Sequence, residues 1–207
     1  MTYRIQAEFQ TYWHIGTGRG SGQHLDALVE KDSHGLPYVP GKTLKGLFRD
    51  VLYKLEAWEA SNQHMTDLLF GVRTAEAGEQ REQTERGLLR FSNLHLIEQT
   101  QLCQKDYQHL IPHLYQTLAS TAIDETTGTA KDKSLRMTEV VIPTKLQGEI
   151  DILTPIEASD FAEQQRALLA QPDTLNQLLA QAASLITHIG ANKNRGMGRV
   201  RLEVTAQ

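Results

Sequence analysis

The sequence predicts an α+β fold with a ferredoxin-like core: helices on one face of an antiparallel sheet. Three observations carry this. Tyr3, Ile5, Ala7, Phe9 and Trp13 alternate with polar residues, the period of a half-buried strand. Leu44, Leu47, Phe48, Val51, Leu52 and Leu55 recur with helical spacing and form one apolar face. Along the chain these patterns give strand, helix, strand, hairpin, strand, helix, strand, and a β-α-β-β-α-β core is the simplest arrangement that satisfies the order.

The elements follow in turn. After the first strand, HIGTGRGSGQHLDALVEKD (14–32) packs four glycines into seven positions, and Leu28 and Val29 open a short strand. HGLPYVPGKT is punctuated by Pro37 and Pro40. The first helix follows, with Thr43 as its expected cap. MTDLLFG reads as one helical turn closed by Gly71, and VRTAEAGEQREQTER (72–86) as a solvated loop. GLLRFSNLHLI (87–97) reads as a strand, and 98–120 as mixed helix interrupted by Pro112. TAIDETTGTAKDKSLRMTEVVIP (121–143) reads as a long hairpin with Gly128 in its turn. KLQGEIDIL is a strand, 157–188 is helical with a break at Pro172, and the glycine-rich basic GANKNRGMGRVRLEV ends in a strand.

The 207 residues suit one domain over 1–207. The single Cys103 allows no internal disulfide, as expected in a reducing cytoplasm. The N-terminus carries no basic-then-apolar leader pattern, and no run approaches the ~20 apolar residues of a membrane span, so no membrane partner is expected. A net charge of −4 argues mildly against a nucleic-acid partner, but the basic residues are clustered.

The motifs exclude several chemistries. From Gly16 or Gly18, a dinucleotide fingerprint needs its third glycine where Ser21 or Gln23 stands. VPGKT fails as a phosphate loop because Leu36 occupies the first glycine position and two prolines remove backbone donors. His109 and His113 have zinc-like spacing, but Pro112 lies between them. No G-x-S-x-G is present, and Cys103 sits in a polar segment.

What remains is basic and glycine-rich. Lys42, Lys45 and Arg49 share one helix face near its N-terminus, where cations oppose the macrodipole unless an anion is present; an ordinary solvated face explains the spacing as well. Lys193, Arg195, Arg199 and Arg201 stand among Gly190, Gly196 and Gly198, glycines that let backbone approach a ligand or simply flex. His14 opens the first glycine loop and is equally a structural histidine.

Together these pieces resemble the RAMP superfamily of CRISPR proteins, and within it the repeated backbone subunit of type III effector complexes. The resemblance rests on HIG after the first strand, an Asp in the next loop, GLPYVPGKTLKGLFRDVL, LLFG, GLLRFSNLHL, AIDETTGTA and GANKNRGMGRV, in that order. It leaves out about 72–86 and 98–119, which become insertions. It implies an RRM-like core that polymerises on a CRISPR guide RNA in the cytoplasm, beside neighbouring backbone subunits and other complex proteins. Guide contacts would come from His14, Arg19, Lys42, Thr43, Lys45, Arg49, Lys193 and Arg195, and from the loops of Gly16, Gly18, Gly20, Gly22, Gly190, Gly196 and Gly198. The hairpin, with Arg136 and Met137, would be a thumb wedged into the guide–target duplex.

Asp26, followed by Asp32, falls where the type III pattern carries its target-cleaving aspartate. The implied reaction is cleavage of complementary target RNA by the ribose 2′-OH, with Asp26 positioning Mg2+ or another divalent cation. Two alternatives share the superfamily: a non-catalytic guide-binding scaffold, and an endoribonuclease that trims guide precursors. The latter usually carries two ferredoxin-like domains, and one is expected here. An unrelated RRM-type binder would show an aromatic motif that RFSNLHL lacks.

Overall fold

The computed structural model describes residues 1–18, 20, 25–58, 64–72 and 85–207. β1 (Thr2–Phe9) buries Tyr3, Ile5, Ala7 and Phe9 and exposes Arg4 and Gln6 between them. It is an inner strand of a five-stranded sheet. One neighbour is β6 (Lys145–Ile152), with Ile5 opposite Gly148; the other is β7 (Val200–Ala206), with Ile5 opposite Val204. β6 pairs on its far edge with β2 (Leu89–Phe91) and β3 (His95–Leu96). All these pairings are antiparallel, in the order β2-β6-β1-β7. With α1 (Gly41–Trp58) joining β1 to β2 and α5 (Pro172–Leu185) joining β6 to β7, the core follows a β-α-β-β-α-β path, as expected.

The strand expected over 87–97 is two short strands instead. Between them Leu94 exchanges both backbone hydrogen bonds with Val39, at 3.0 and 2.9 Å, so its groups leave the β6 ladder. The same segment seats α1. Gly41 N–H donates to Asn93 Oδ1 at 2.9 Å, and a Cβ on Gly41 would lie 2.3 Å from the Phe91 carbonyl. Thr43 is therefore not the cap: it lies inside the first turn, its N–H donating to Pro40 at 2.9 Å.

α1 buries Leu44, Phe48, Leu52 and Leu55, each such side chain contributing about 1.5–3 kcal/mol. α2 (Met65–Phe70) ends at Gly71, φ 85°. α3 (Gln99–Leu102) is one short turn. α4 (Ala162–Leu169) stops before Pro172, which opens α5 where its missing N–H has no helical partner to lose. The buried Gln165 amide joins α4 to two other segments, donating to Leu68 at 3.1 Å and Arg86 at 3.0 Å. α1 and α5 pack on each other and on the sheet.

The hairpin is a separate two-stranded sheet of β4 (Tyr115–Ser120) and β5 (Arg136–Val141), with Tyr115 opposite Val141. Its first arm begins six residues before the expected start at 121, so the expected insertion of 98–119 shrinks to a stretch holding α3 and a 3-10 helix, Gln108–Leu114. No residue of β4 is fully buried, so its sequence lacks the alternation that marks the other strands. Residues 121–135 form the tip, where Asp124 Oδ1 accepts the N–H groups of Thr126 and Thr127 at 2.9 and 3.3 Å. Most of the 72–86 insertion lies outside the described residues.

Candidate nucleic-acid interface

The chain leaves β1, passes Trp13 at the base of the hairpin and runs out along β5, which places Asp26 near the tip end of that strand. Trp13 exchanges backbone hydrogen bonds with Val141 at 3.0 and 2.8 Å and stacks on Phe9, ring centroids 4.5 Å apart. Farther along β5, Asp26 N–H donates to the Met137 carbonyl at 2.8 Å, and Asp26 Oδ2 accepts the Met137 N–H at 2.7 Å. Ala27 pairs with Thr138 in parallel sense. Asp26 is thus exposed but fixed, and among the described residues its Oδ1 has no hydrogen-bond partner.

The two glycine-rich segments meet at Tyr12 and His14. Ala191 N–H donates to the His14 carbonyl at 2.9 Å, and Gly198 N–H to the Tyr12 carbonyl at 2.7 Å. A Cβ on Gly190, φ +100°, would lie 2.4 Å from that His14 carbonyl, so the close approach requires glycine. Gly20 is needed for a similar reason: a Cβ there would lie 2.9 Å from the Asp26 carbonyl. Gly16 bridges to Val29, and Gly18 is exposed with φ 75°. Lys193 and Arg195 lie exposed on a 3-10 turn between Asn192 and Gly196, both left-handed. Arg19 and Gly22 fall outside the described residues.

His14, expected to meet RNA, does not lie on the surface. Its ring is buried, and its Nδ1–H donates to the Glu139 carbonyl at 2.6 Å, the direction a carbonyl demands.

The stripe on α1 divides. Lys42 is exposed and Lys45 half-buried, and both line a surface depression of about 320 Å³ with Arg86, Arg90 and Leu153. Burial, then the neighbouring Arg49, lowers the Lys45 pKa, and an anion on this face would offset both effects. Arg49 faces inward, its Nη2 donating to the Gly71 carbonyl at 2.7 Å, so it is a structural brace and not a free phosphate ligand. At the helix start the Gly41 and Thr43 N–H groups are already used. The depression lies toward the end of β6 where Leu153 follows, whereas the glycine loops lie beyond Phe9, near the start of β6. Sequence reasoning joined two basic surfaces that the fold sets at opposite ends of the sheet.

On the hairpin Arg136 is exposed and Met137 half-buried. The most exposed apolar groups of the tip are Ile123 and Leu135, each 60% exposed. Among the described residues no three His, Cys, Asp or Glu side chains converge as a metal site. Asp26 Oδ1 is a carboxylate oxygen beside Gly20, which suits a cation that takes its other ligands from phosphate oxygens and water. Asp32 is structural: its Oδ1 accepts the His34 and Leu36 N–H groups at 2.8 and 3.0 Å, and its Oδ2 the Gln99 amide at 3.1 Å.

Three residues that pack on or within the segment after Asp26 carried no motif. The Glu139 carboxylate is buried, accepting the Val29 N–H at 3.0 Å and pairing with Lys31 Nζ at 2.8 Å. Lys31 Nζ sits 4.0 Å from the Tyr115 ring centroid, and the Tyr115 hydroxyl donates to Gly35 at 2.6 Å. Burial, then Glu139 and Asp32, pushes the Tyr115 pKa upward, so the hydroxyl keeps its donor proton. The available signal was a lone acid before Val140, Val141 and Ile142 on a strand buried at that end.

A ferredoxin-like sheet with helices on one face, a long hairpin and paired glycine loops at one end defines an α+β domain of the RRM-like kind. The RAMP superfamily model matches residues 6–201, and the chain belongs to that superfamily. Among solved structures it is similar to a subunit chain in the cryo-EM structure of the type III-B Cmr-beta bound to cognate target RNA, with TM-score 0.66 and 11% identity over 99% of this chain and 97% of that one. A chain of the type III-B Cmr-beta apo state aligns with TM-score 0.64 and 11% identity over 100% and 98%. No curated protein sequence gives a significant match. No helix among the described residues is long and apolar enough to cross a membrane.

Proposed function

We propose that the protein is a guide-RNA-binding backbone subunit of a type III CRISPR effector complex, and that it cleaves complementary target RNA with Asp26. The observation that carries this reading is an exposed carboxylate held on β5 near the hairpin tip, in a segment whose start at Tyr12 and His14 is hydrogen-bonded to the terminal glycine loop that bears Lys193 and Arg195. Superfamily membership and the likeness to Cmr-beta chains support the partners: guide RNA, target RNA and neighbouring subunits.

In the reaction the 2′-OH of a target ribose attacks the adjacent phosphate, and the 5′-oxygen of the next nucleotide leaves. Asp26 Oδ1 orients the attacking hydroxyl while Oδ2 stays on the Met137 N–H. The hairpin displaces a nucleotide so that attack is in line. Lys193 and Arg195 offset phosphate charge. A divalent cation held by Asp26 and phosphate oxygens, when bound, supplies further neutralisation of the developing charge. Sequence selection comes from guide pairing, and the protein reads backbone and A-form shape.

One observation favours a second reading, the non-catalytic scaffold: Asp26 already has a structural task in holding Met137. The guide-precursor endoribonuclease has less support, since the described residues build one ferredoxin-like core. The test is gel filtration of the protein with and without guide RNA, followed by addition of complementary target and magnesium. Guide-dependent oligomers that cut at regular intervals support the proposal; oligomers that bind target intact support the scaffold.

A further inference from the structure

We propose that Glu139 is a positioning residue that holds the Asp26 loop on the hairpin; the inference rests on Asp26 being the cleaving group. All four polar groups of Glu139 are spent on the segment leading to and from that loop. Its N–H donates to Ala27 at 3.0 Å and its carbonyl accepts the His14 ring at 2.6 Å. Its carboxylate takes the Val29 N–H at 3.0 Å and Lys31 Nζ at 2.8 Å. The loop therefore touches this one residue at 27, 29 and 31, immediately after Asp26.

The Glu139 side chain is only 10% exposed, and a buried charge is retained at low cost only when fully paired. Removing the carboxylate would leave the buried Val29 N–H without an acceptor and the Lys31 ammonium without its counter-ion, while the backbone bonds of Ala27 to Glu139 and the Met137–Asp26 pair remained. Lys31 also rests against Tyr115 of β4, so both hairpin strands grip the same loop. A carboxylate displaced by about 1 Å loses on the order of 100-fold in rate. Glu139 touches no reacting atom in this account; it acts through Asp26.

The experiment uses assembled guide-loaded complexes carrying wild type, Glu139→Gln, Glu139→Ala, Asp26→Ala, or the Asp26→Ala and Glu139→Gln pair. Three quantities are read: single-turnover cleavage at saturating target, target Kd, and amide hydrogen exchange over residues 26–29. Glu139→Gln is expected to slow cleavage about 10–100-fold, as loss of a supporting partner does elsewhere, with target Kd unchanged and faster exchange at Val29. The double variant is expected to cut no slower than Asp26→Ala alone. If Glu139→Ala fails to fold, Glu139→Gln, which keeps side-chain shape and one acceptor, decides. Wild-type exchange at Val29 in Glu139→Gln, or a double variant slower than Asp26→Ala, overturns the inference. If Asp26→Ala cuts like wild type, the cleavage reading fails, and this inference falls with it whatever the exchange shows.

Discussion

Asp26 and Met137 hold each other by two hydrogen bonds, N–H to carbonyl at 2.8 Å and N–H to carboxylate at 2.7 Å. The candidate cleaving group is therefore fixed to β5 beside the tip of the hairpin expected to enter the guide–target duplex. An exposed loop aspartate would change stability by less than about 0.5 kcal/mol on removal. Because this one accepts a hydrogen bond, Asp26→Ala is expected to cost roughly 0.5–1.5 kcal/mol, and Asp26→Asn, which keeps an acceptor, less. Urea denaturation of the two variants checks the difference.

The α1 stripe is expected to divide by function. Lys42→Ala and Lys45→Ala should each flatten the salt dependence of RNA binding by about 0.7 in slope, with little change in melting. Arg49→Ala should leave the slope alone and cost roughly 1.5–3 kcal/mol, because its guanidinium donates to the Gly71 carbonyl. Equal slope changes for all three would mean Arg49 turns outward when RNA binds.

The terminal loop gives a contrast between glycines. Gly190→Ala should destabilise more than Gly196→Ala. Both positions have positive φ, at +100° and +78°, but only at Gly190 would the new Cβ press on the His14 carbonyl. Gly196→Ala carries backbone strain alone, about 1–2 kcal/mol. Thermal melts of the pair decide the order.

At the hairpin tip, replacing Ile123 and Leu135 with Ala should leave folding unchanged, since both are 60% exposed. Target RNA affinity should fall, because apolar side chains inserted between bases lose their contact. Met137→Ala should weaken or shift target cleavage while its backbone bonds to Asp26 persist. Unaltered affinity and cleavage across these variants would remove the wedge role.

Much of the fold was legible because burial writes itself as period. β1, β6 and α1 each bury one face, and Tyr3, Ile5, Ala7 and Leu44, Phe48, Leu52 announce it. β4 was missed because a half-exposed hairpin strand buries no full row of side chains. The site was legible as residue types but not as directions. Nothing in the spacing of Lys45 and Arg49 says that one borders a depression and the other turns toward Gly71. The pairing of His14 with Glu139 was hidden for a related reason: a buried polar group is defined by its partner, and these two lie 125 positions apart in sequence.

The most direct measurement is the target-cleavage ladder from guide-loaded complexes, wild type against Asp26→Asn, with magnesium present and then chelated. Asparagine keeps an acceptor for the Met137 N–H and removes only the charge. The account predicts intact assembly and target binding, a ladder lost by orders of magnitude in Asp26→Asn, and the same loss on chelation in wild type. A wild-type ladder from Asp26→Asn would contradict it and leave Asp26 as a brace for the hairpin alone.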